Sequence, residues 1–288
     1  MLFRSLQADK DLIKQEMASS RIVEISITAP EKKSETERAP LNISLVLDHS
    51  GSMSGEKLQF VKQAAAHVID LLDEKDRASV VIYDDKVDTI VPHGNVTEAY
   101  KKEARSSIHM VRSGSSTFLS GGWLKGCELV ATGDDGNSIN RTLLLTDGLA
   151  NVGIRNSIEV ASDASELFHR GITTSCFGVG LDYDEHLLEA MANSGGGNFH
   201  FLETVNAIPT VFEREFTELV TITLRDVVIS VKVPEGVSID VLGGWSTEVK
   251  KGRVDISLGN LYASQNKKLY FRLNHDQIKP GTEITLTV

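Results

Sequence analysis

Hydrophobic residues along this chain change their period twice, and the changes mark its organisation. Val23, Ile25 and Ile27 alternate with Glu24, Ser26 and Thr28, the period of a half-buried strand. A charged stretch, 31–38, follows and reads as a solvated linker. From about residue 41 to 220, short apolar runs alternate with segments whose apolar positions recur every three or four residues. Strands are predicted at 43–48, 78–83, 88–91, 142–146, 173–179 and 197–202. Helices are predicted at 55–72, 97–110, 119–131, 157–170, 184–192 and 208–219. The first helix carries Leu58, Val61, Ala65, Val68, Ile69 and Leu72 on one stripe. Such alternation specifies an α/β fold, a Rossmann-like, doubly wound and mostly parallel sheet flanked by helices. Asp84-Asp85-Lys86 reads as a solvated hairpin turn, which makes the second and third strands an antiparallel pair at one edge.

After about residue 222 the helical period stops. Strands are predicted at 227–233, 238–241, 253–258, 267–273 and 283–288, with turns at Pro234-Glu235-Gly236, Gly243-Gly244 and Pro280-Gly281. This is a small antiparallel β-domain. Pairing of the early strand with these late ones is the economical arrangement. Residues 1–40 and 221–288 then form a β-sandwich into which an α/β domain, 41–220, is inserted. The chain stops inside an apparent strand, so the natural protein is expected to continue past Val288.

The apolar run Ile43-Ser44-Leu45-Val46-Leu47 gives way to Asp48-His49-Ser50-Gly51-Ser52. One carboxylate and two hydroxyls at alternate positions are hard oxygen donors, suited to a small divalent cation such as Mg²⁺. A strand, an oxygen-rich loop and a helix in succession put them at the carboxyl edge of a parallel sheet, where open α/β folds bind ligands. Taken alone, the same residues suit any strand-to-helix turn, with Ser52 or Ser54 as a cap. Two later segments change the weighing. Ser115-Ser116-Thr117 opens another helical run, and Thr142-Leu143-Leu144-Leu145-Thr146-Asp147-Gly148 is a second buried strand ending in a carboxylate and a glycine.

Asp48-x-Ser50-x-Ser52, Thr117 and Asp147-Gly148, in that order, resemble the metal-ion-dependent adhesion site of von Willebrand factor type A domains. The wider phrase Leu47-Asp48-His49-Ser50-Gly51-Ser52-Met53, followed by Gly55-Glu56-Lys57-Leu58, is similar to the bacterial and archaeal branch of that family. The resemblance runs from about residue 40 to 220, and the layout with a β-domain is similar to that of integrin β-chains. It implies that Ser50, Ser52 and Thr117 supply direct hydroxyl ligands to Mg²⁺, with Mn²⁺ or Ca²⁺ as alternatives. Asp48 and Asp147 lie behind them, acting through water and orienting the hydroxyls. An open coordination position then takes a Glu or Asp carboxylate of a partner protein. His49 occupies a position that varies in the family. The implied role is protein binding, without catalysis.

Other readings start from the same residues. Haloacid dehalogenase-like phosphatases also present a carboxylate after a parallel strand, but need a second acid two residues on, where this chain has Ser50. Metal-assisted hydrolysis needs a general base, for which His49 is the nearby candidate. A structural or assembly subunit, for example one beside an AAA+ ATPase, with a vestigial metal site is the remaining alternative.

A net charge of −10 argues against nucleic-acid binding, which needs clustered Lys and Arg. No apolar stretch approaches the ~20 residues that cross a bilayer. The first residues lack the apolar core of a secretory signal, so a cytoplasmic location is expected. Cys127 and Cys176 are expected to be free thiols packed in the core. The loop Ser194-Gly195-Gly196-Gly197-Asn198 reads as a flexible turn, since it precedes a strand and lacks the Lys-Ser/Thr of a phosphate cradle.

Overall fold

The computed structural model describes residues 3–9, 19–31, 38–148, 152–180, 183–233 and 236–275. The strand expected at 283–288, the Pro280-Gly281 turn, Pro234-Glu235 and most of the linker lie outside these residues. The chain divides into two compact units, Thr36–Thr221 and Met1–Glu35 together with Ile222–Val288.

Two strands, β1 (Phe3–Ala8) and β2 (Ser19–Thr28), come first in the chain. The α/β unit follows with β3 (Leu41–Asp48), α1 (Glu56–Leu71), β4 (Arg77–Tyr83), β5 (Val87–Asn95), α2 (Glu98–Met110) and α3 (Leu119–Gly133). It continues with β6 (Ile139–Thr146), α4 (Ser157–His169), β7 (Ile172–Val179), α5 (Glu185–Ser194), β8 (Gly196–Leu202) and α6 (Ile208–Val220). The sheet order is β5-β4-β3-β6-β7-β8, parallel except for the antiparallel β4–β5 hairpin at one edge. Every residue of β3, β6 and β7 is buried, because helices cover both faces of a central parallel strand. Helix starts are fixed locally: Thr97 Oγ1 accepts from Tyr100 N at 3.2 Å, and Asp184 Oδ1 accepts from Leu187 N at 3.0 Å. Trp123 is fully buried on α3, its Nε1 donating to Thr174 Oγ1 of β7 at 3.1 Å. Cys127 and Cys176 are buried free thiols.

The segment around Ser194 differs from expectation. α5 runs to Ser194 and β8 begins at Gly196, so there is no free loop. A Cβ at Gly197 would lie 2.0 Å from the Thr174 carbonyl oxygen. Glycine is required there because β7 and β8 approach closely.

Helix α6 is fastened to the sheet by a buried acid. Glu215 accepts from Ser175 Oγ of β7 at 2.5 Å and from Asn198 Nδ2 of β8 at 2.9 Å. His200 Nε2 lies 2.8 Å from its carboxylate, and Arg141 Nη1 of β6 lies 4.0 Å away. Burial by itself raises the Glu215 carboxyl, but the His200 hydrogen bond, the Arg141 charge and the Ser175 hydrogen bond outweigh it. They bring the group down to about 2.

The other unit adds β9 (Ile222–Lys232), β10 (Val237–Leu242), β11 (Ser246–Lys250), β12 (Arg253–Tyr262) and β13 (Asn266–His275). Two antiparallel sheets result, ordered β1-β2-β13-β10 and β11-β12-β9. β2 pairs along its whole length with β13, from Thr28 opposite Asn266 to Ser19 opposite His275. Val23, Ile25, Leu269 and Phe271 of one sheet share a buried cluster with Ile229, Val231, Val254 and Ile256 of the other. The sequence pattern missed β11 because it exposes Val249, its one large apolar residue, at 76 %.

Candidate metal-binding edge of the parallel sheet

β3 and β6 are parallel neighbours, so their carboxyl ends emerge side by side at one edge. Asp48 is the last residue of β3, and Asp147 directly follows the last residue of β6; both are essentially excluded from solvent. Beyond Asp48 the chain folds back at once, with Ser50 N donating to Asp48 Oδ1 at 2.8 Å. A single 3-10 turn, Gly51–Met53, leads toward α1. Ser50 Oγ and Ser52 Oγ lie 3.2 Å apart, and Ser52 Oγ donates to Asp147 Oδ1 at 2.7 Å. Thr146 Oγ1 donates to Asp48 Oδ2 at 2.6 Å.

Thr117 reaches the group from a separate loop. A Cβ built on Gly148 would stand 3.5 Å from Ser52 Oγ and 3.6 Å from Thr117 Oγ1, so the two hydroxyls flank the same point of backbone. The Thr117 loop is pinned to the Asp48 loop by Gly51 N donating to Ser115 O at 2.8 Å and Gly114 N to His49 O at 2.7 Å. Asp48, Ser50, Ser52 and Asp147 are thus linked in sequence by hydrogen bonds through the two serines, with Thr117 alongside.

Asp84 departs from its expected solvated turn. Its carboxylate is turned onto the Thr117 loop, accepting from Lys86 N at 2.9 Å and Ser115 N at 3.1 Å, while its carbonyl accepts from Phe118 N at 2.7 Å. Burial would raise this carboxyl, but the Lys86 and Ser115 amides and the nearby His49 hold it below its ordinary value. His49 is oriented: Nδ1 lies 2.9 Å from Arg112 O, and Nε2 lies 3.9 Å from Asp84 Oδ1.

Lys57, in the first turn of α1, places its ammonium on Asp147 Oδ2. A cation at a helix N-terminus opposes the helix dipole, so its position in the first turn was a signal that something local compensates it. Thr146 and Asp84 carried no comparable signal, since a threonine ending a strand and an acid in a turn are both commonplace. Burial pushes the Asp48 carboxyl above its ordinary value against hydrogen bonds from Ser50 and Thr146, and the neighbouring Asp147 adds to the rise.

No cluster of three or more His, Cys, Asp or Glu side chains able to hold a metal occurs among the described residues. The oxygens at this edge are instead hydroxyls backed by two carboxylates, a hard-donor set of the kind magnesium takes.

A Rossmann-like mixed sheet with this oxygen-lined edge defines a class of ligand-binding α/β domains, and sequence comparison narrows it. The von Willebrand factor type A domain family matches residues 42–214, and the chain belongs to that family. An uncharacterized protein of Synechocystis, sll0103, is 26% identical over 290 residues, covering 97% of this chain and 67% of its own length. The von Willebrand factor type A structure from Catenulispora acidiphila superposes with a TM-score of 0.73 at 16% identity, covering 97% of this chain and 66% of that one. Proximal thread matrix protein 1 of the mussel byssus, solved with a zinc-occupied adhesion-site motif, superposes with a TM-score of 0.54 at 19% identity. That match covers 68% of this chain and 50% of the mussel protein's chain. No helix among the described residues is long and apolar enough to cross a membrane.

Proposed function

We propose that Asp48, Ser50, Ser52, Thr117 and Asp147 hold a divalent cation, Mg²⁺ in preference to Mn²⁺ or Ca²⁺, through which the domain binds an acidic side chain of a partner protein. The observation that carries this reading is the gathering of oxygens from three distant stretches at the ends of β3 and β6 and on the Thr117 loop. Within the reading, Ser50, Ser52 and Thr117 are the direct donors. Asp48 and Asp147 orient them, as the Ser50 amide to Asp48 and the Ser52 hydroxyl to Asp147 already do. When bound, the cation supplies a charge that neutral hydroxyls leave largely uncompensated and a coordination position open to an anionic oxygen. The zinc-occupied motif of the mussel protein supports a metal at an equivalent edge, without fixing which metal this chain prefers.

The domain binds and does no chemistry in this reading. His49, the candidate base, is engaged by the Arg112 carbonyl and sits beside Asp84. The two antiparallel sheets form a β-sandwich that acts as a spacer for the α/β domain. The physiological setting is the cytoplasm.

Titration calorimetry with MgCl₂ and MnCl₂ tests the ion site. Wild type should release or absorb heat and gain thermal stability, and Ser50→Ala/Ser52→Ala should do neither. Absence of both effects in wild type overturns the proposal. Affinity capture of partners in Mg²⁺ and then in chelator tests the second half: partners retained equally in EDTA would rule out an ion-mediated contact.

A further inference from the structure

Lys57 stands out at the candidate site because it is a cation in a place that gathers cations. Asp147 has both oxygens engaged, one by the Ser52 hydroxyl and the other by the Lys57 ammonium. Its side chain is fully shielded from water, whereas Lys57 remains 29% exposed. The ammonium also lies 4.0 Å from where a Cβ on Gly180 would be, so it sits between the ends of β6 and β7. Asp48 is the second buried carboxylate nearby.

Formal charges at this edge give Lys57 a consequence beyond a salt bridge. Two carboxylates and one ammonium leave one negative charge. A divalent ion turns this into one surplus positive charge, which a single guest carboxylate neutralises. Without the ammonium, the loaded site is already neutral and a guest carboxylate makes it negative. An ammonium held on Asp147, whose own side chain is shielded from water, also repels an arriving cation.

We infer that Lys57 is a tethered counter-cation that weakens uptake of the free divalent ion and reserves a positive charge for the partner's carboxylate. This rests on the proposed ion-mediated function. Ion and acidic guest then stabilise each other's binding, and the coupling is reciprocal. In chelator, Lys57 serves in the ion's stead and keeps the buried Asp147 compensated.

The test uses the full chain and Mn²⁺ as the probe, followed by calorimetry and by thermal unfolding in EDTA. Lys57→Met should bind Mn²⁺ tighter than wild type by about tenfold or more. It should also melt lower in EDTA and show a larger rise in melting temperature on adding Mn²⁺. Lys57→Arg, which keeps the charge, should stay near wild type. Lys57→Gln repeats the charge removal with a polar side chain and serves if the methionine variant fails to fold. Mn²⁺ affinity that is unchanged or weaker in the folded charge-removed variant overturns the role of Lys57 and leaves the ion site standing. Wild type that takes up no Mn²⁺ overturns the site itself, and the inference with it. Acetate, added at constant ionic strength as a stand-in for the guest carboxylate, should tighten Mn²⁺ binding more in wild type than in Lys57→Met. Equal tightening counts against the reserved charge.

Discussion

Glu215 and Asp147 are both carboxylates withdrawn from water in the same α/β unit, and their surroundings differ in kind. Glu215 is met by fixed partners on β6, β7 and β8: Arg141, Ser175, Asn198 and His200. Every one belongs to regular structure, so the acid fastens α6 to the sheet. Asp147 lies beside a second acid at the sheet's edge, and its partners, Ser52 and Lys57, come from a 3-10 turn and the first turn of a helix. A buried charge with a full complement of rigid partners holds a structure together. The balance of Asp147 rests instead on a turn and on a partly exposed lysine.

The largest effect that would break this contrast is in stability. Glu215→Ala should destabilise the α/β unit by about 3–5 kcal/mol in urea unfolding, with no rescue by Mg²⁺, because it leaves Arg141 buried without its counter-charge. A loss under about 1 kcal/mol would mean that Glu215 is not the fastening described.

Acidity gives a second handle on the same group. The folded value of Glu215, about 2, lies below the ordinary 4.5. Its contribution is therefore complete above about pH 4.5 and is lost as the pH falls toward 2. Unfolding free energy should drop over that window in wild type and drop less in Glu215→Gln.

Asp147→Ala should spare the fold in chelator and lose the response to metal. Ion at a hundredfold excess over its Kd stabilises a binding-competent protein by about 2.7 kcal/mol. For a unit of this size, that is a rise in melting temperature of about 5–10 °C. The rise should appear in wild type and vanish in the variant, and its survival would remove Asp147 from the site. Asp84→Asn should have the smallest effect, about 1–2 kcal/mol, with weaker Mg²⁺ uptake through a looser Thr117 loop. Unchanged calorimetry in this variant would separate Asp84 from the site.

Much of the α/β unit was legible because its signals are periodic. Short apolar runs marked β3 and β6, a β-branched and apolar stretch marked β7, and a stripe at three- and four-residue spacing marked α1. The turn at Asp84-Asp85-Lys86 placed the antiparallel edge pair. Legibility failed where tertiary contact decides. Gly197 looks like a flexible-turn residue until the Thr174 carbonyl is found against it. Asp84 looks solvated until the Ser115 amide is found on its carboxylate. β9 begins at Ile222, five residues before its predicted start, because irregular pairing around Gly259 carries the strand past Asp226, whose φ is +50°. At the candidate site the spacing of Asp48, Ser50 and Ser52 was ambiguous alone, and the family resemblance brought in Thr117 and Asp147. Lys57 stood in the family phrase and in an unfavourable first-turn position, but its partner could not be read because it lies 90 residues away.

The pairing of β2 with β13 sets an order of assembly. Hydrogen-bonded side chains such as Ser26 and Asn266 are 240 residues apart, so this pairing waits until the residues of β13 have emerged. Contacts of such long range form slowly, while the intervening α/β unit has its own core and more local pairings. Until β13 arrives, β2 has only its local partner β1, and its other edge, along Val23, Ile25 and Ile27, is open as a template for mistaken partners. A chaperone holding that early segment, or early completion of β1 against it, would protect the newborn chain at its most vulnerable point.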